Sequence, residues 1–343
     1  MLIKEEYQIN EVSQYTKGLL LSFEEKVCVT LGKNLGISHD KVNRILNNAA
    51  NNSEETIKSL QSLAKRALID KQKYLLIDDT LIPKEYSKKI EGVEDGFDVC
   101  LNRSSRGIRV ITQSLTDGAI NIPINAVPFT SKALARDNYV SKSIIACELA
   151  KETIKTLDFD ILLADSHFAT KASLPIFAQL KISILMKIAR NRIVSIGDKK
   201  GQLQNMLRLK RNCRMSYCKA FFDEHEYFFY VARTLQGNTI YFVSNIFIER
   251  NKLLALYRIR WNIELFHRTA KQYLGIKDCQ MTSINKQRQH ILFCMHAYAL
   301  ASVYQNLMGL HSVEDFINHL RKAKSKMIDY LFGPLERNFR HVA

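Results

Sequence analysis

Several things are missing from this chain, and each absence excludes something. No two cysteines stand at C-x2-C spacing: the seven lie at 28, 100, 147, 213, 218, 279 and 294, and Cys213 and Cys218 have no second pair to complete a tetrahedral metal site. An odd, scattered set also argues against a disulfide scaffold and suits reduced core thiols in a cytoplasmic protein. No apolar run follows the charges of the N-terminal MLIKEEYQIN, so no signal peptide is expected. Internal repeats and low-complexity segments are missing as well. One stretch, 291–310, is free of charged side chains over the length a bilayer requires. His296, Ser302, Gln305 and Asn306 interrupt it, so a buried core helix is expected there and no membrane partner.

Acid is also in short supply. Lys and Arg number 50 against 34 Asp and Glu, a formal charge of +16 on 343 residues. Apolar residues at 46% and charged residues at 24% are ordinary globular usage, which excludes a wholly disordered or fibrous chain and leaves room for two or three domains. Surplus positive charge attracts polyanions, nucleic acid foremost. The surplus is uneven. Residues 187–220 hold ten Lys or Arg, among them Lys199, Lys200 and Arg211, against the single acid Asp198. A polyphosphate is the natural partner of such a block.

Residues 1–70 lack proline and read as helical. Within them, FEEKVCVTLGKNLGISHDKVNRILN (23–47) carries the needs of a helix-turn-helix: Gly32 where a second helix crosses the first, Gly36 at the turn, and Val42 and Ile45 to hold the second helix down. Ser38 would cap that second helix, leaving His39, Lys41, Asn43 and Arg44 as groove-facing candidates. A tight helical hairpin without DNA contact is the plainer alternative. From Tyr74 the pattern changes to strands: YLLID (74–78), GIRVITQSL (107–115), AINIPINAV (119–127), FDILLAD (159–165) and KISILMKIA (181–189), with a helix over 140–156. This order predicts an α/β domain with mixed strand pairing. Residues 190–247 alternate apolar and polar in EYFFYVAR and TIYFVSNI and read as a β-rich basic insertion. One long helix is expected from about Arg250 to Leu274.

Two of the strands end in acid: Asp78 and Asp79 in LIDDT, and Asp165 in LLADSHF. Strand ends hold a side chain firmly yet leave it open, which suits ligands of a hard cation. Asp at a strand end is also a common turn former. On the long helix, at about 100° per residue, Tyr257, Arg260, Glu264, His267 and Lys271 fall on one polar stripe, beside an apolar stripe of Ile259, Ile263, Phe266, Ala270 and Leu274. An Arg260–Glu264 ion pair on a solvated face would explain the polar stripe equally well.

The spacing Tyr257, Arg260, Glu264, Lys271 resembles the YREK signature of insertion-sequence family four transposases. Its setting, LYRIRWNIELFHRTAKQYLGIKDCQ, is similar throughout, including Trp261 and the Gly275–Ile276 pair. LIDDTLIPK resembles that family's first-aspartate region. ADSHF resembles its second, with Phe168 three residues after the acid. The resemblance runs over roughly 74–300. It implies a ribonuclease-H-like catalytic domain with a β-rich insertion, preceded by a helical DNA-binding domain: 1–70 for the helices, 71–189 and 248–310 for the catalytic core, 190–247 for the insertion and 311–343 for a helical tail. RKAKSK (321–326) in that tail would be available to DNA, a partner subunit or solvent.

The same resemblance implies a DDE triad of Asp78, Asp165 and Glu264 holding two Mg2+ ions, with Mn2+ able to substitute. Asp78 is preferred because Thr80 matches the small polar position after it; Asp79 is the fallback. Tyr257, Arg260 and Lys271 would contact the DNA backbone. The implied activity is cut-and-paste transposition of a mobile element: hydrolytic cleavage at terminal inverted repeats, then joining of 3′-hydroxyl ends to target DNA by a dimer in the synaptic complex, on the nucleoid of a bacterial cytoplasm. Family members that excise through a hairpin often stack a flipped base on a tryptophan in the insertion. The only tryptophan here is Trp261, outside it. His167 and His267 lie near the acids, but magnesium prefers oxygen, so a structural role is expected of both. A DNA-binding relic without catalysis and a ribonuclease-H-like nuclease without strand transfer are the competing readings. The intact acids oppose the first and the complete signature opposes the second.

Overall fold

The computed structural model describes residues 2–98, 103–209, 213–234 and 236–323. Arg211 and the segment 324–343, which includes the end of the basic run 321–326, lie outside the described residues, as does Cys100.

Four helices come first: α1 (Leu2–Leu21), α2 (Cys28–Leu35), α3 (His39–Ala50) and α4 (Ser53–Ala67). Between α2 and α3 the chain turns through Gly36, whose φ of +66° is a left-handed conformation that glycine adopts without a Cβ penalty. Ser38 then caps α3, its Oγ accepting from Lys41 N at 3.2 Å. Gly32 lies where the turn comes closest, since a Cβ there would stand 2.8 Å from Ile37 O. Val42 and Ile45 are buried, while His39, Lys41 and Arg44 are exposed. Asn43 is half-buried.

An antiparallel group follows: β1 (Tyr74–Pro83), β2 (Val93–Asp98), β3 (Arg103–Thr116) and β4 (Asn121–Phe129). After these come α5 (Lys132–Ala135), α6 (Lys142–Thr153), β5 (Ile161–Ala164), α7 (Ser173–Gln179) and β6 (Ile184–Lys187). β1, β5 and β6 are neighbours and parallel, with Ile77 opposite Ala164 and Ala164 opposite Met186. Their apolar runs are continuous because both faces are covered.

The basic, β-rich segment contains β7 (Ile193–Ile196), β8 (Lys199–Gln202), α8 (Leu203–Met206), β9 (Met215–Phe222), β10 (His225–Arg233) and β11 (Thr239–Ser244). These strands extend the same sheet. β11 pairs antiparallel with β6, and the order β2-β3-β1-β5-β6-β11-β10-β9-β7-β8, with β4 on β3, makes one mixed sheet.

The helix expected over 250–274 is divided into α9 (Arg250–Ile259) and α10 (Trp261–Gln272). At the junction Arg260 N bonds Tyr257 O and Ile263 N bonds Arg260 O, both i to i+3, so the turn tightens to 3-10 geometry just where Arg260 enters the interior. Ile263, Phe266, Ala270 and Leu274 are buried, as the apolar stripe requires, and Ile259 is half-buried. α11 (Ile284–Leu307) and α12 (Val313–Ala323) complete the described chain.

α11 explains the uncharged stretch. It is buried continuously from Gln289 to Val303 and packs on β4, α1, α3, α4, α10 and α12. Several of its polar groups have partners: Gln289 Nε2 donates to Thr56 Oγ1 at 2.9 Å, Ser302 Oγ accepts from Asn121 N at 3.0 Å, and His290 meets Tyr15 Oη and Gly275 O, each at 2.9 Å. No described helix is long and apolar enough to cross a membrane. Arg321 in α12 is buried and donates to Leu20 O and Tyr273 O, so this first basic residue of the tail fastens the helix inward. The described cysteines are all free.

Candidate active site

The site lies where the parallel pairing ends; β1 itself runs on to Pro83 beside β3, so Asp78 and Asp79 stand within the strand and not at its end as the sequence suggested. β5 stops after Ala164, so Asp165 leaves it beside Asp78 on β1, and Lys187 follows Met186 at the end of β6. Open sheets with parallel strands present their functional groups at such carboxyl ends. Asp78 and Asp79 are successive strand residues and point to opposite faces. Asp78 meets α10: its Oδ2 accepts from Arg260 Nη1 at 3.0 Å. Asp79 meets α6, where Lys142 Nζ donates to its Oδ1 at 2.8 Å. The alternatives for the first acid therefore lie in different surroundings, and only Asp78 shares a partner with Glu264.

That shared partner is Arg260. Its Nη2 donates to Glu264 Oε1 while Nη1 holds Asp78, so one guanidinium spans two carboxylates from facing elements. The Arg260 residue is only 6% exposed. The pair at 260 and 264 is thus not the surface ion pair that helical spacing alone allows. Asp165 lies close enough for its charge to be felt at Asp78, Tyr257 and Arg260, and its own Oδ1 accepts from Ser166 N at 2.7 Å. Burial raises the Asp78 carboxyl to about 7; Arg260 opposes the rise, and Asp79 and Asp165 add to it.

Tyr257 stands against this cluster. Its ring meets Phe242 edge-on at 4.8 Å, with the Arg260 guanidinium 5.4 Å and Lys187 Nζ 5.6 Å from its centroid. Burial pushes the phenol well above its ordinary range, which keeps it protonated. Its Oη is buried beside the Arg260 guanidinium, whose Nε is buried without a carboxylate partner. Lys271, in the last turn of α10, is half-buried and close enough to act on His267.

His267 is a buried strut. Its Nε2 is 2.7 Å from Thr112 Oγ1, which also reaches Asp78 O at 3.3 Å, and burial lowers its pKa to about 3, so the ring is neutral. His167 is exposed.

The DNA candidates fall elsewhere. His39, Lys41, Asn43 and Arg44 are on α3, and Lys199 and Lys200 are exposed on β8, at the opposite end of the sheet order from β2. Two groups at the site escape a reading of the sequence. Lys142, at the start of α6, binds Asp79 from 63 positions away and lies 5.8 Å over the Phe168 ring; nothing local announces it. Lys187 could have been found, because it ends the strand that runs beside the one ending in Asp165.

For a metal, the donor set is right in kind. Asp78, Asp165 and Glu264 offer only carboxylate oxygen, as a hard divalent cation prefers. Among the described residues no group of three or more His, Cys, Asp or Glu is arranged to hold an ion, and Arg260 pairs with both Asp78 and Glu264.

Residues 2–202 match the model of the DDE superfamily endonucleases, and residues 123–300 match that of the transposase DDE domain. A comparison with curated proteins gave no match. Among solved structures, the fold is similar to the piggyBac transposase synaptic complex with hairpin DNA, determined by cryo-electron microscopy: 12% identity, a TM-score of 0.52, and coverage of 96% of this chain and 74% of that one. Each of the two family models spans more than half of the sequence, and the chain accordingly belongs to the DDE superfamily of transposases and endonucleases.

Proposed function

We propose that this protein is a DNA transposase of the YREK group of insertion-sequence family four, which cleaves the ends of its element and joins them to target DNA. One observation carries the reading: Asp78 on β1 and Glu264 on α10 share a single buried arginine, and Asp165, just past the adjacent parallel strand β5, is near enough for its charge to act on that arginine. In this reading β1, β5 and β6 form the heart of a ribonuclease-H-like core spanning 71–189 and 248–310. Residues 190–247 are the insertion, 1–70 the DNA-binding unit and 311–343 the tail.

Asp78, Asp165 and Glu264 would hold two Mg2+ ions, or Mn2+ in their place. Bound there, such ions activate a water or a 3′-hydroxyl and stabilise the leaving oxygen of a phosphodiester. The rest of the work is positioning. Arg260 and Lys271 supply positive charge and Tyr257 a neutral donor, groups that fix a phosphate without reading sequence. Sequence reading falls to His39, Lys41, Asn43 and Arg44 on α3, of which all but the half-buried Asn43 are exposed after a capped helical turn. Lys199 and Lys200 add non-specific attraction. Because joining two ends needs two active sites, the working form is a dimer on DNA. The similar fold of a transposase captured in a synaptic complex supports that expectation.

Supercoiled DNA carrying the element's ends, incubated with Mg2+, tests the proposal. Wild type should nick or release the element and join its ends, whereas Glu264→Gln should bind the same DNA and leave it uncut. Binding without cutting by both proteins, in Mg2+ or Mn2+, would reject the transposase in favour of a DNA-binding relic. Nicking by wild type without joining would leave a nuclease.

A further inference from the structure

We propose that Arg260 is an exchangeable counter-ion: it holds Asp78 and Glu264 while DNA is absent, and releases them to a divalent cation when a DNA phosphate takes its guanidinium. The proposal rests on the active site assigned above and concerns its regulation.

The observations are geometric. Arg260 is buried and gives one arm to each carboxylate, so the positive charge that a cation would supply is already supplied by the chain itself. Yet the guanidinium is not fully satisfied. Its Nε is buried with no carboxylate partner, and the neighbouring Tyr257 hydroxyl lies within reach of Arg260. A buried donor without an acceptor is costly, and an anion bearing several oxygens satisfies it. A phosphodiester is such an anion.

Moving Arg260 onto a phosphate leaves Asp78 and Glu264 without a positive partner, Asp78 largely buried with 15% of its side chain exposed and close to Asp165. A buried carboxylate that loses its counter-charge is strongly destabilised. A cation would restore the balance. Asp79 cannot take over the role, because Lys142 holds it on the other face of β1. DNA and metal should therefore bind with positive coupling, and each should strengthen the other by the same factor. The device would keep the nuclease from assembling its metal site on the free protein.

The test counts bound Mn2+ by electron paramagnetic resonance on the full chain, with cutting assayed separately. Without DNA, Arg260→Gln should bind Mn2+ about tenfold more tightly than wild type, the usual size of such couplings. Adding Asp78→Asn to that variant should abolish the gain, which places the ion at this site. A short mixed-sequence duplex at low salt should raise Mn2+ binding by wild type about tenfold, relative to Asp78→Asn with the same duplex. Thermal unfolding shows whether each variant folds. Arg260→Lys keeps the charge but cannot span two carboxylates, so it should fall between wild type and Arg260→Gln. Equal Mn2+ affinity of folded Arg260→Gln and wild type without DNA overturns the proposal; if Arg260→Gln does not fold, equal affinity of Arg260→Lys does so. Should that happen while wild type still cuts and joins element ends, the counter-ion role fails and the transposase stands. Coupled Mn2+ binding in a protein that never cuts would instead retire the transposase and leave the coupling intact.

Discussion

Asp78 carries two opposing demands. It must be ionised to bind a cation, yet burial and the nearby Asp79 and Asp165 raise its carboxyl from 3.8 to about 7. A carboxyl whose pKa is higher in the fold than in the unfolded chain favours the fold when protonated. Its contribution is complete below pH 4 and is lost as pH rises through about 7. The metal-free protein should therefore lose stability over that interval, and Asp78→Asn should not share the loss. At pH 8 the variant should be the more stable, by roughly 1–3 kcal/mol in urea denaturation. A variant less stable than wild type at pH 8 would show that Arg260 outweighs burial. At this scale the acids were legible in the sequence as the close of apolar runs, although only Asp165 stands at a strand end: β1 runs on to Pro83 through its pairing with β3, so Asp78 and Asp79 lie within it. The bond from Arg260 to Asp78, across 182 positions, was not, because helical spacing reveals only the partner at 264.

The element that brings Glu264 to the strands is α10, and its end matters as much as its polar stripe. After Tyr273 the chain turns through Gly275, with φ of +66° and Ile276 N bonded back to Ala270 O at 3.1 Å. A Cβ at Gly275 would stand 2.8 Å from Lys26 Cβ, and the turn's carbonyl O is 2.9 Å from His290 Nε2 on α11. Gly275→Ala is thus strained in conformation and in space, and should cost about 1–3 kcal/mol by denaturant unfolding. Activity at low temperature should change less than stability, since the substitution is remote from the acids in the helix. The glycine after the periodic run was visible in the sequence as a stop signal. The break at Arg260 was not, because every residue from Arg250 to Gln272 is compatible with one helix and only the inward pull of the guanidinium distinguishes the junction. β2 escaped for a related reason: VEDGFD has no apolar alternation, and its pairing with β3 creates the strand. β8, KKGQ, is likewise a strand only because β7 lies beside it.

Across the whole molecule, a single sheet joins the acids to the basic segment. Periodicity in 190–247 revealed strands but not where they attach, since the pairing of β11 with β6 depends on residues more than fifty positions apart. This continuity fixes the distance between two kinds of positive charge. Arg260 and Lys187 are at the carboxylates, whereas Lys199 and Lys200 are on the outer strand β8. Lysines on an edge strand also discourage pairing with another sheet, so their exposure alone does not assign them to DNA. Salt dependence separates the two roles. If both lysines meet phosphates, replacing them with alanine should weaken binding to any sequence and reduce the slope of log affinity against log salt by about 2. Cutting at saturating DNA should be unchanged, because neither lysine is near the acids. An unchanged slope accompanied by concentration-dependent self-association would assign them to edge protection instead. The surplus of +16 would then have to act through the α3 face and the active-site cations.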